Sequence, residues 1–137
     1  MLQDGKSSAP KPQESVSSEQ GLMRNFVVTK KIEPVLFACL DKECLDTEEA
    51  YHLKKVLENF VKPDICVIAL DLSSVKFIST IFFGTLIELH HDFVDRNKKM
   101  VIIGLNEHNR KVVAITKLDK VLNVHNTFEE ARKAMSF

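Results

Sequence analysis

Ile65-Cys66-Val67-Ile68-Ala69-Leu70-Asp71-Leu72-Ser73-Ser74-Val75-Lys76-Phe77-Ile78-Ser79-Thr80 is the stretch on which the fold turns. Its first six residues are apolar and rich in β-branched side chains, as in a strand covered on both faces. Asp71 to Ser74 form an acidic, Ser-rich turn. Ser79 and Thr80 then open a long amphipathic run. Hydroxyl side chains are favoured at a helix start because their oxygens accept from N–H groups that have no partner inside the helix. The same N–H groups and the positive end of the helix dipole suit a phosphate. Strand, loop and helix are therefore expected here, with a hydroxyl where a phosphoryl group is tolerated.

The helix register follows from spacing. Phe82, Leu86, Leu89 and Phe93 fall on one stripe, with Phe83, Ile87 and Val94 beside it and Thr85, Glu88, Asp92 and Asp95 opposite. This is a 3.6-residue period with a broad apolar side. Phe82 stands in the first turn, where a helix end usually meets solvent, and is expected to be an exposed aromatic contact for a partner.

Outward from this core, residues 1 to 20 are rich in Ser, Gln, Lys and Pro and poor in apolar side chains. They are expected to be a disordered tail, since they cannot bury enough surface to offset their ordering entropy. A single domain is expected over residues 21 to 137. Residues 25 to 30 and 35 to 40 read as an antiparallel hairpin turned at Glu33-Pro34. A helix begins at Asp46 or Thr47 and stops before Pro63. Met100 to Leu105 reads as a buried strand, Asn106 as the cap of a helix to about Ile115, and Val121 to Val124 as a short strand. Thr127 and Glu130 have capping-box spacing ahead of a last helix to Met135. The order β-β-α-β-α-β-α-β-α implies an α/β fold: a mixed sheet, antiparallel in its opening hairpin and parallel afterwards, with about four helices.

Composition narrows the function. The chain has 137 residues, 45% hydrophobic and 28% charged, with 19 basic and 19 acidic side chains. Zero net charge argues against a protein that binds nucleic acid by neutralising phosphates. No apolar run approaches a membrane span and no signal core is seen, so a cytoplasmic protein without membrane insertion is expected. Cys39, Cys44 and Cys66 are odd in number and lack metal-type spacing, so buried reduced thiols are expected and neither metal nor cofactor is. The sequence holds no G-x-S-x-G elbow, P-loop or G-x-G-x-x-G, and nothing positions a histidine beside Thr80. A binding module is thus favoured over an enzyme.

Several segments together resemble the STAS domain family, the bacterial anti-sigma-factor antagonists and their relatives. Val67 to Ile78 is similar to the family's apolar strand, D-L-S, two spacers and F-I. Glu43-Cys44-Leu45-Asp46 resembles its G-E-L-D. Met100 to Leu105, with Val112 to Val121, resembles its later strand and helix, and Thr127-Phe128-Glu129-Glu130-Ala131 its closing s-x-x-E-A. The resemblance spans about Met23 to Ala134. In the family, the serine after a motif aspartate is phosphorylated by a partner kinase, which switches binding to that partner. By position, the motif aspartate corresponds to Ser79, the phosphoacceptor to Thr80, the second hydroxyl to Ile81, and the two glycines to Phe82 and Gly84.

The resemblance implies a protein partner of the anti-sigma factor or serine/threonine kinase kind, with a phosphatase as a further partner. Asp46, Asp71, Ser74, Ser79, Ile81, Phe82 and Gly84 are the expected surface around Thr80. Asp46 and Asp71 also have local readings, as helix cap and turn acid. The chain itself is expected to be a monomer or a weak homo-oligomer. The alternative is a constitutive STAS scaffold, in a stressosome-type assembly or as an accessory subunit of a lipid or anion transporter.

Overall fold

The computed structural model describes residues 26–137; the expected tail over residues 1 to 20 lies outside them. Strands β1 (Val27–Ile32) and β2 (Val35–Leu40) form the opening hairpin. A two-residue strand β3 (Cys44–Leu45) precedes helix α1 (Thr47–Phe60). Then follow β4 (Val67–Asp71), a second two-residue strand β5 (Phe77–Ile78) and helix α2 (Thr80–Asp95). The chain closes with β6 (Lys99–Ile103), α3 (Glu107–Ile115), a 3-10 turn (Leu118–Lys120), β7 (Asn123–His125) and α4 (Phe128–Met135).

The main sheet has five strands in the order β1-β2-β4-β6-β7. The β1–β2 pair is antiparallel and every other pair is parallel. The expected mixed α/β architecture with four helices is therefore present. β4 is central, and Val67, Ile68, Ala69 and Leu70 are all buried because both of its faces are covered. Leu36, Ala38, Ile68, Leu70, Met100 and Ile102 point to one face and pack in the large core with Leu53 and Leu57 of α1, Leu86 and Phe93 of α2 and Val113 of α3. Ala69 and Val101 point to the other face, where Ala131 of α4 covers them. Period-2 alternation thus divides the helices between the two faces.

Two expectations fail. Phe82 is not exposed: its relative exposure is 0%. The first turn of α2 is not a free helix end, because β5 immediately before it pairs with β3. Leu45 of β3 and Val75 of the loop before β5 are buried in the main core cluster with Phe82, and Ile78 of β5 packs against it. The expectation of buried thiols also fails for Cys44 and Cys66, which are both exposed; Cys39 is half-buried. Cys44 and Cys66 are each next to a buried residue, Leu45 and Ile65, and alternation turns the sulfurs outward. Cys39 lies opposite Asp71 across β2 and β4. Burial, with Asp71 and Asp41 nearby, pushes its thiol above the usual range.

The strand bounds differ slightly from expectation. β1 both starts and ends two residues later than expected, with residue 25 outside the described residues; β6 ends at Ile103 rather than Leu105, and β7 starts two residues later, at Asn123. β3 and β5 carry no sequence signal, since two residues are too few to show a period.

Candidate functional site

The β3–β5 ribbon builds the site. Lys76 and Phe77 N–H groups donate to the Glu43 carbonyl at 2.8 and 3.0 Å, and the Ser79 N–H donates to the Leu45 carbonyl at 2.9 Å. These bonds set the start of α2 beside the start of α1, where Asp46 is the N-cap. Of the residues singled out in the sequence, Asp46 and Ser79 are thereby brought together, each at the N-terminus of a helix.

Ser79 caps α2: its hydroxyl accepts from the Phe82 N–H at 3.1 Å. The cap role is therefore filled by Ser79, and Thr80, the first residue of the helix, is exposed. Its neighbour Ile81 is 55% exposed, and Phe77, just before the cap, is 57% exposed. Gly84 is one turn on from Thr80, on the same helix face. A Cβ built on Gly84 would meet nothing within 4 Å. Thr80, Ile81 and Gly84 thus form a continuous outward strip, flanked by Phe77. Phe82 points inward and takes no part in it.

Gly84 is in the middle of a helix and has no packing reason to be glycine. Gly84→Ala is expected to raise stability by about 0.5–1 kcal/mol, the usual cost of helical glycine relative to alanine. Urea unfolding checks this; a lower midpoint would mean that the helix surface is not open there.

Asp46 and Asp71 both have local work. The Glu49 carboxylate accepts from the Asp46 N–H at 2.8 Å, and is ion-paired to Lys42. Burial raises the Glu49 pKa, but Lys42 and the Asp46 N–H outweigh it and hold it below the usual carboxylate range. A lowered carboxylate contributes stability at neutral pH, which is lost as pH falls through the folded value. Asp71 accepts from the Ser73 N–H at 2.9 Å and from the Ser73 hydroxyl, an Asx-type turn. Its carboxylate is committed to the loop. Ser74 is exposed on the same loop.

Three features of the site were not singled out in the sequence. Phe77 is one, an exposed aromatic whose ring lies 5.7 Å from that of His108. The others are the loop contacts of Asn109 and of Asn106, the latter expected only as the cap of α3. Both side-chain amides donate to the Val75 and Lys76 carbonyls, at 3.1 to 3.4 Å, and so clamp the loop that leads to Ser79. Asn106 also caps α3, accepting from the Asn109 N–H at 2.8 Å. No local spacing marks this grip, because it joins residues about thirty positions apart. No group of three His, Cys, Asp or Glu side chains among the described residues is placed to hold a metal ion. Nor is any described helix long and apolar enough to cross a membrane.

The chain can be set beside known proteins. The STAS domain model matches residues 27–131. A candidate anti-sigma factor antagonist of Thermotoga neapolitana is 28% identical over 103 residues, covering 74% of this chain and 90% of that protein. The crystal structure of a candidate anti-sigma factor antagonist from Thermotoga maritima superposes with a TM-score of 0.72 at 24% identity, over 82% of this chain and 97% of that one. The phosphorylated form of the Bacillus cell fate determinant SpoIIAA superposes with a TM-score of 0.59 at 13% identity, over 80% of this chain and 98% of that one. The β1–β2 hairpin, the parallel β2-β4-β6-β7 sheet and the Ser79-capped helix thus sit inside a matched span that takes in nearly all of the described residues, and the chain belongs to the STAS domain family.

Proposed function

We propose that this chain is a non-enzymatic protein-binding module of the anti-sigma-factor-antagonist kind, switched by phosphorylation of Thr80. The observation that carries the reading is the division of labour at α2: Ser79 fills the cap, leaving the Thr80 hydroxyl exposed beside two exposed apolar side chains. Phe77 and Ile81 supply apolar contact area, Gly84 lets a partner backbone come close, and Asn106 and Asn109 hold the loop in place. The partner is a protein of the anti-sigma factor or serine/threonine kinase kind. Two relatives support this: the Thermotoga maritima protein, described as a candidate anti-sigma factor antagonist, and SpoIIAA, which has a phosphorylated form.

The switch is a local electrostatic one. A phosphate on Thr80 adds about −1.5 to −2 charges at neutral pH. The helix N-terminus tolerates that charge. An apolar partner surface seated on Ile81 and Phe77 would have to desolvate it, and the complex would be lost. Thr80→Glu is expected to weaken the partner complex about tenfold or more, equal to about 1.4 kcal/mol. Thr80→Ala should leave the unmodified complex intact. Titration calorimetry with the purified partner checks both; unchanged affinity for Thr80→Glu would count against the switch.

A constitutive scaffold is the second reading, favoured by the exposure of Phe77 and Ile81 whether or not Thr80 is modified. Under it, Ile81→Ser abolishes assembly while Thr80→Glu does nothing.

A further inference from the structure

The two faces of the main sheet are covered unequally. The face turned to the large core carries α1, α2 and α3. The other carries α4 alone, which has eight residues. Such a helix is about 12 Å long and about 10 Å wide, whereas five strands set about 4.8 Å apart span about 19 Å between the outermost axes. α4 packs on β6 and β7, and the ring of its Phe128 reaches β2 at Phe37, 4.8 Å away. Cover stops there, and among the described residues nothing lies over β1 on this face.

What is left is a strip two strands wide. Val28, Lys30 and Ile32 of β1 are paired with Cys39, Phe37 and Val35 of β2, and residues directly opposite in an antiparallel pair share a face. Phe37 lies beside Ala69, and Ala69 beside Val101, so this is the face of α4. Val35 and Phe37 are half-buried against the α4 cluster, but Val28 is 59% and Ile32 53% exposed. The strip is about 13 Å long and about 10 Å wide, an area on the order of 100 Å², far below the roughly 800 Å² that each partner contributes to a stable complex. A second copy seated on it would also bring its own Lys30 against this one. An occupant tethered beside the strip needs no such area, because a short tether gives it a high effective concentration.

The tethered apolar side chains at hand are Leu22 and Met23, in Gly21-Leu22-Met23-Arg24-Asn25, just ahead of Phe26 and outside the described residues. Leu22 is four residues from Phe26, so the chain carries it up to about 13 Å away. Along β1, Val28 is about 7 Å, Lys30 about 13 Å and Ile32 about 20 Å from Phe26. Phe26 itself packs in the large core, its ring 5.2 Å from that of His52 on α1, so the chain has to round the edge of β1 to reach the strip. β1 is the outermost strand, and no other strand bars that route. Arg24 and Asn25 are polar, as residues that cross an edge in water should be. We propose that Leu22 and Met23 fold back round the β1 edge and cover the Val28 end of this strip, against Val28, Cys39 and the rim of Phe37. The contact shields apolar surface on an edge strand, where other chains would otherwise be recruited. Thr80 is on α2, over the opposite face, and the contact does not rest on the partner-binding reading.

The test is methyl NMR of the ¹³C-labelled full chain. Cross-relaxation between the Met23 methyl and the Val28 methyls is expected. In the double variant Leu22→Ser/Met23→Ser the Val28 methyl shifts should move, while those of Ile32, beyond the reach of Leu22, stay in place. Val28→Thr approaches the contact from the other side. It keeps the β-branched shape that suits a strand and removes the apolar character. In that variant the Met23 methyl should take the shift of a methionine in an unfolded chain. Absence of cross-relaxation with Val28, Val28 methyls unmoved in the double variant, or equal movement at Ile32 would overturn the proposal. Val28 shifts that depend on protein concentration would overturn it too, by assigning the strip to a second copy of the chain.

Discussion

Phe82→Ala is expected to lower the unfolding free energy by about 3–5 kcal/mol, as deletion of a buried aromatic does. The side chain is fully buried and belongs to the cluster that joins α2 to Leu45 of β3 and Leu53 of α1. Truncation removes apolar contact and leaves a cavity that the β3–β5 ribbon, held by backbone hydrogen bonds to Glu43 and Leu45, cannot readily collapse into. For a domain of this size the loss corresponds to a fall of about 10–20 °C in Tm. Differential scanning calorimetry reads it directly. A change of only a degree or two would mean that the ring is at the surface and that the helix start is not covered by the ribbon.

Gly104→Ala is the second large effect, expected to cost about 2–3 kcal/mol from strain and overpacking together. Gly104 has φ of +80°, and a Cβ there would lie 2.3 Å from the Ser73 Oγ and 2.9 Å from the Asp71 Oδ1. Neither oxygen moves freely, because the Ser73 hydroxyl and N–H both donate to Asp71. The clash and the backbone strain are separable. Adding Ser73→Ala to Gly104→Ala removes the closest contact and should recover part of the loss, while the left-handed φ still costs. Urea unfolding of the two single variants and the double variant measures this coupling. Strictly additive effects would contradict the close approach of Gly104 to the Asp71 turn.

How much could be read beforehand follows from which interactions are local. β4 announced itself because a strand covered on both faces has no polar alternation, and Val67 to Leu70 have none. The caps at Ser79, Asn106 and Thr127 were legible because a cap is decided within four residues. The β3–β5 ribbon was not, since pairing of Cys44 with Phe77 spans a long stretch of chain and each strand is too short to have a pattern. The error at Phe82 follows from that omission: without the ribbon, a first-turn aromatic looks exposed. Exposure of Cys44 and Cys66 was missed for a related reason, as apolar neighbours suggest burial while alternation decides which side chain turns out.

The candidate site divides the same way. Ser79 and Thr80 stood out from their positions at a helix start. Phe77 did not, because its exposure depends on β5 being at the edge of a two-stranded ribbon. The grip of Asn106 and Asn109 on the Val75 and Lys76 carbonyls joins residues about thirty positions apart, beyond what local spacing reveals.

Phosphopeptide mapping of the protein isolated from its own cells tests the central claim most directly. Trypsin, cutting after Lys76 and Arg96, releases the segment from Phe77 to Arg96, whose hydroxyls are those of Ser79, Thr80 and Thr85. Phosphate on Thr80, with an occupancy that changes with growth condition, is the predicted result. Phosphate absent from Thr80 under every condition would contradict the switch and leave Phe77 and Ile81 as the contact surface of a constitutive scaffold.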